Sequence, residues 1–139
     1  MRIKTTLVTF HTKGRTDVVD ITDAIQEHLH STKMQEGNVL IFAQGSTCGI
    51  TTIEYEPGLV HDIKAFFDRV IPDGMTYQHD ERWHDGNGHS HLQASMLGPE
   101  VTIPVEEGSL MTGTWQQIFH YEADIKSRHR NIIVTVIGE

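Results

Sequence analysis

Apolar and polar positions alternate from the start of the chain. Across residues 3–10, Ile3, Thr5, Leu7 and Thr9 fall on one side of an extended backbone and Lys4, Thr6, Val8 and Phe10 on the other. Both sides carry apolar groups, and the pattern predicts a strand. Residues 18–21 continue extended after a turn over 11–17. The period then changes: Ile21, Ala24, Ile25, His28 and Leu29 recur at helical spacing, which predicts a first helix over 22–35 with Gly37 beyond it as C-terminal cap. Residues 39–43 read as a short apolar strand, 44–49 as a polar, glycine-flanked connector, and 50–56 as a strand rich in β-branched Ile and Thr. Pro57 and Gly58 end it. Leu59, Val60, Ile63, Phe66, Phe67 and Val70 then form one helical stripe, which Pro72 stops.

The second half is less regular. Residues 75–79 fit a strand, and 80–88 read as a loop. Residues 89–97 favour a short helix ending at Gly98, with an extended alternative open around His89 and His91. Residues 101–105 form a strand in which Pro104 points to an edge or irregular position. Residues 113–122 and 131–137 read as strands. This order lacks regular βαβ alternation, which argues against a doubly wound parallel sheet. The expectation is an α+β fold forming one domain over residues 1–139: a largely antiparallel β-sheet or sandwich with two main helices and a short third.

Composition narrows the function classes. The 139 residues are 37% hydrophobic and 22% charged, an ordinary globular mixture. No apolar run approaches the roughly 20 residues that span a bilayer, so a cytoplasmic protein with no membrane partner is expected. Eleven Lys and Arg against nineteen Asp and Glu give a formal charge of −8, which argues against nucleic acid as a partner. The small basic cluster Lys126, Arg128, Arg130 leaves room for one small phosphate. The single cysteine, Cys48, forms no internal disulfide and fits a reducing compartment.

Three segments carry candidate chemistry. Histidine is abundant, ten in all, and His79, His84, His89 and His91 fall within thirteen positions of a Gly/Asp-rich stretch. His79, His89 and His91 are candidate ligands for a divalent metal, zinc or magnesium, with Asp85 as an orienting partner. If 89–91 is extended, His89 and His91 point the same way; if helical, they diverge by about 200° and only one joins His79. Direct binding of a phosphate by protonated imidazole is the competing account, and a solvated His-rich loop the plain one. The second segment is Ser46-Thr47-Cys48-Gly49, where hydroxyls beside glycine can receive an anion, although a ligand-free tight turn is commoner. The third is 113–122. As a strand it places Thr114, Gln116, Ile118, His120 and Glu122 on one face, and Trp115, Gln117, Phe119 and Tyr121 on an aromatic face suited to a core or a subunit contact.

Gly108-Ser109-Leu110 followed by Gly113-Thr114-Trp115-Gln116 resembles the signature of the YjbQ family. So do His89-x-His91-Leu92 running into Ala94-Ser95-x-Leu97-Gly98, the stretch from Val101 to Val105, and Glu122-x-Asp124. The resemblance spans essentially the whole chain. It implies a compact homotrimer with polar sites near subunit contacts, and a link to thiamine phosphate synthase activity, which joins a pyrimidine methyl diphosphate to a thiazole phosphate. A trimer that binds a metal ion or a small phosphorylated molecule without turnover is the alternative. Carried onto this chain, Glu54, Gln116 and Glu122 are expected as catalytic groups. Ser46, Thr47, Cys48, Thr114 and Arg128 are expected to bind substrate. One departure stands out: family members often carry His where this chain has Gly45, which removes a potential ligand or base. Many also have Asn-Glu where this chain has Ile53-Glu54. The expected site gathers Thr47, Glu54, His79, His89, His91, Gln116 and Glu122 around one cavity.

Overall fold

Alternation along β1 (Arg2–His11) and β8 (His129–Gly138) sets the frame, because these two strands pair antiparallel over their full length, from Arg2 opposite Gly138 to His11 opposite His129. The computed structural model describes residues 1–139. The remaining strands are β2 (Asp17–Asp20), β3 (Gly37–Ala43), β4 (Cys48–Ile53), β5 (Glu100–Glu106), β6 (Ser109–Leu110) and β7 (Gln117–Glu122). The helices are α1 (Thr22–Thr32), α2 (Pro57–Val70), α3 (Gln78–Trp83) and α4 (Gly88–Leu97). All strand pairs are antiparallel. Five strands form one sheet in the order β1-β8-β3-β5-β6, and three form a second in the order β2-β7-β4. The α+β class and the antiparallel pairing are as expected from the sequence.

The two sheets and α1 enclose the main core. Ile132, Val134 and Val136 of β8, Val39 and Ile41 of β3, Ile25 and Leu29 of α1, and Ile50 and Ile118 of the smaller sheet meet there, all essentially inaccessible to solvent. A second cluster lies on the other face of the small sheet, where Phe119 and Tyr121 of β7 pack on Phe67 of α2; the Phe67 and Tyr121 rings are 5.2 Å apart. β7 is therefore buried on both faces. Side-chain alternation sends Ile118, His120 and Glu122 toward the large sheet, and Phe119 and Tyr121 toward α2.

Several local readings change. The first helix ends at Thr32, capped by Lys33 in the left-handed conformation (φ 59°), and Gly37 instead opens β3. Residues 75–79 are not a strand: Met75 and Thr76 precede α3, which begins at Gln78 and takes up the first part of the stretch read as a loop. The Gly113–Gln116 signature is a turn, closed by Gln116 N donating to Gly113 O at 3.0 Å, so β7 starts only at Gln117. Thr114 and Gln116 are thus not in one row with Glu122, and Trp115 is 72% exposed instead of packing with Phe119 and Tyr121. On α2 only Phe67 is fully buried, while Phe66 and Val70 of the same stripe remain exposed.

Where β3 begins and β8 ends, Gly37 faces Gly138, and the backbones lie too close for a side chain. A Cβ on Gly37 would run into Ile137 O, and one on Gly138 into Glu36 O. Gly138→Ala is expected to lower stability by about 1–3 kcal/mol in urea unfolding, because the strand ends must separate. Gly113→Ala, whose Cβ would meet nothing closer than 3.6 Å, is expected to be near neutral.

Candidate functional site

The inward face of β8 reads Arg130, Ile132, Val134, Val136, so strand alternation alone drives Arg130 into the interior. A buried guanidinium requires a partner, and β7 supplies it. Arg130 Nε donates to Glu122 Oε1 at 2.7 Å, and Nη2 to Glu122 Oε2. Glu122 is wholly inaccessible and Arg130 only 6% exposed. The pair continues outward. Arg130 Nη2 also donates to Thr47 Oγ1 (2.9 Å), Thr47 Oγ1 donates to Asp124 Oδ2 (3.0 Å), and Asp124 Oδ2 accepts from Arg128 Nε (2.9 Å). Thr12 Oγ1 closes the other side on Glu122 Oε1 at 2.7 Å. Two guanidinium and two carboxylate groups thus balance in a largely buried chain of hydrogen bonds. Burial works against charge on Arg130, but its hydrogen bonds to Glu122 and the neighbouring acidic groups outweigh it and hold its pKa up. Burial likewise opposes ionisation of Asp124, but hydrogen bonds from Thr47 and Arg128 overcome it and hold that carboxyl below its usual range.

This network engages three residues expected to meet substrate or catalyse. Glu122 anchors Arg130, Thr47 uses its hydroxyl both to accept and to donate, and Arg128 bridges Asp124. From the sequence Arg130 stands only as one member of the basic cluster with Lys126 and Arg128, although the period-two pattern ending 130, 132, 134, 136 marks it as inward-facing. One of its atoms stays free: Nη1 donates to no protein acceptor and lies 2.6 Å from where a Cβ would sit on the exposed Gly45, with Cys48 Sγ 2.9 Å from the same point. Next to Gly45 is a cavity of about 230 Å³ lined by Gly45, Ser46, Cys48, His91, Ser95 and neighbours. Burial first, and then Glu122 and Asp124, push the Cys48 thiol up to about 11 against the pull of Arg130, so it stays a thiol at neutral pH and is no ready nucleophile.

α4 decides the histidines. Because residues 88–97 are helical, His89 and His91 lie on different sides of α4. His91 lines the Gly45 cavity and packs against His79, ring centres 4.4 Å apart and planes inclined by 45°. His89 instead enters a separate cavity of about 170 Å³ with Arg15, Asp68, Asp73 and Gln93. The three histidines therefore do not surround one point in the subunit. What gathers at His79 is acidic: its Nδ1 stands 3.4 Å from Asp85 Oδ1 and 3.6 Å from Asp80 Oδ1, yet is buried without a hydrogen bond, as is Asn87 Oδ1 at the start of α4.

Glu54, Thr114 and Gln116 lie elsewhere. Gln116 Nε2 donates to Thr52 Oγ1 at 3.0 Å, and Glu54 follows Ile53 into solvent. In the β4–β7 ladder Cys48 pairs with Glu122 at one end and Ile53 with Gln117 at the other, five residues or roughly 17 Å away. Within one subunit these residues do not join the cavity.

His120 sits beside the network with neither ring nitrogen hydrogen-bonded, its ring edge-on to Phe10 at 5.1 Å. Burial, with a smaller contribution from Arg130, pushes its pKa down to about 3. In the unfolded chain the imidazole titrates near 6.5. As pH falls below that value the unfolded state takes up a proton that the native state refuses, so stability falls between about pH 6.5 and pH 3, approaching about 1.4 kcal/mol per unit. Chemical denaturation across this range is expected to show a shallower acid limb in His120→Leu. Glu122→Ala is expected to lose about 3–5 kcal/mol in urea unfolding at pH 7, since it leaves Arg130 buried without its partner.

The chain matches known proteins over nearly its whole length. Residues 6–139 fit the model of the family described as UPF0047 protein YjbQ-like. A UPF0047 protein of Archaeoglobus fulgidus is 37% identical over 94% of this chain and 98% of its own length, and YjbQ of Escherichia coli O157:H7 is 36% identical over 86% of this chain and 87% of its own. Among solved structures, a YbjQ-like protein of unknown function from Sulfolobus solfataricus superposes with a TM-score of 0.88 at 34% identity, covering 99% of this chain and 100% of that one. A hypothetical protein from Aeropyrum pernix superposes with a TM-score of 0.91 at 31% identity, covering 98% and 99%. The chain belongs to the UPF0047 family of YjbQ-like proteins.

Proposed function

We propose that this protein binds a small phosphorylated molecule at the Gly45 cavity. The observation that carries the reading is Arg130. Its Nε and Nη2 are fixed by Glu122 and Thr47, while Nη1 has no protein acceptor and lies against Gly45, which has no side chain to cover it. A guanidinium held in this way presents its remaining donors without further loss of rotamer freedom, which favours an oxyanion over a neutral ligand. The Ser46 hydroxyl and the His91 ring on the cavity wall supply further polar contacts. A cytoplasmic setting fits the single, buried Cys48.

The finer reading, thiamine phosphate synthase-type transfer, uses the same pocket for a phosphate of one substrate. It also requires neutralisation of a diphosphate leaving group, chemistry that a divalent ion supplies. His79, Asp80 and Asp85 are the residues that would hold such an ion. One imidazole nitrogen and two carboxylates suit zinc better than magnesium, which prefers an all-oxygen shell. Glu54, Thr114 and Gln116 enter this reading only through a neighbouring subunit. Support for a homotrimer comes from the outer face of the large sheet, where Leu7, Ile133 and Phe42 form one cross-strand row and Leu7 and Phe42 remain exposed.

Calorimetric titration with pyrophosphate and with a thiazole phosphate tests the binding reading. Saturable binding is expected for the parent protein. It is expected to be lost in Gly45→Val, whose side chain occupies the space beside Nη1, and to weaken in Ser46→Ala. No binding of either compound, or unchanged affinity in Gly45→Val, would sink it. Pyrophosphate release from the paired substrates, measured on the same samples, separates turnover from binding.

A further inference from the structure

We propose that His11 and His129 form a second metal site, a two-imidazole clip across the terminal strands that takes a borderline divalent ion such as zinc or copper. The site rests on strand register and is independent of the function proposed above. His11 and His129 are the last residue pair of the β1–β8 ladder. The next position pairs through Thr12 N donating to Arg128 O at 2.8 Å, which makes His11 and His129 a non-hydrogen-bonded pair, the class whose side chains stand closest. Both rings project from the outer face, opposite to the buried Thr12 and Arg130, and both are exposed.

The spacing of the nitrogens fits a metal better than a hydrogen bond. His129 Nδ1 and His11 Nε2 are 3.4 Å apart, with ring centres at 4.7 Å and planes inclined by 58°. An N–H···N bond at that distance is long and weak. Two nitrogens at 2.0–2.1 Å from a tetrahedral ion stand about 3.4 Å apart, so little movement is needed to place an ion between them. Nitrogen donors with no carboxylate select zinc, copper or nickel over magnesium or calcium. Water or a small anion completes the shell. Since one ligand lies near the end of β1 and the other at the start of β8, a bound ion cross-links the first and last strands of the chain. Such an ion binds only the paired state, so it stabilises that state by mass action.

The competing ion site near His79 is removed first by working in an Asp85→Ala background. Zinc titration by calorimetry is then expected to show one binding event. That event is expected to weaken at least about tenfold in His11→Ala and in His129→Ala, and to be unaffected by His61→Ala on the exposed side of α2. Zinc is also expected to raise the melting temperature of the background protein, an effect lost with either histidine. Binding is expected to weaken on acidification, because ligating nitrogens must be unprotonated. Absence of zinc binding in the Asp85→Ala protein, or equal affinity after both His11 and His129 are replaced, overturns the proposal. Neither result bears on phosphate binding at Gly45, which is read in separate titrations.

Discussion

The rest of the molecule is arranged around one buried ion pair. Arg130 enters the interior because β8 must keep Ile132, Val134 and Val136 inward, and the strand period leaves no other direction for residue 130. Taking a guanidinium out of water is costly unless charge and hydrogen bonds are returned to it. Glu122, also on an inward position, returns the charge, and Thr47 and Thr12 complete the hydrogen bonding. This requirement ties together four separate parts of the chain: the residue after β1, the connector before β4, the end of β7 and the start of β8. An apolar pair of similar volume can hold sheets together as well or better, so the ion pair is weak evidence for stability as such. What an apolar pair cannot do is hold an oriented N–H donor without a protein acceptor beside Gly45, and Arg130 Nη1 is held there.

Gly45 gains its meaning from the same constraint. From the sequence it is an absence, a glycine where the family resemblance leads one to expect a histidine. In the fold, Arg130 Nη1 and Cys48 Sγ stand within 3 Å of where its side chain would begin. An imidazole there has to displace one or the other. Glycine at this position leaves no connector side chain against that edge of the guanidinium. His91 is the imidazole that stands on the wall of the adjoining cavity.

Much of the candidate site was legible, but not its grouping. The inward positions of β8 and the amphipathic α1 follow from periodicity, whereas residues 89–97 left an extended alternative open around His89 and His91 that the fold resolves as helix α4. The signature turn at Gly113 was misread as strand because alternation of polar and apolar residues continues from Thr114 into β7. The Gln116 carboxamide, by accepting from Gly113 N and donating to Thr52, closes the turn that ends that regularity. The apparent polar row Thr114, Gln116, His120, Glu122 dissolved for that reason. Its two inner members are core residues, one paired with Arg130 and one left without any hydrogen bond.

The sequence by itself determined the fold class, most of the strands and the main helices, which family the chain resembles and which types of donor it holds. These are properties of local period and residue chemistry, readable over a few positions. Only the tertiary structure decided which donors meet. His91 joined His79 while His89 left for another cavity, because α4 is a helix and its two sides face different neighbours. Glu122 became the partner of Arg130 and Thr47 the link to Asp124, because β4, β7 and β8 converge at that point. His11 came to face His129 across 118 positions of chain, because the first and last strands pair to their ends. Such meetings are set by sheet register and layer packing, which depend on the whole chain at once and leave no mark in any short stretch of it.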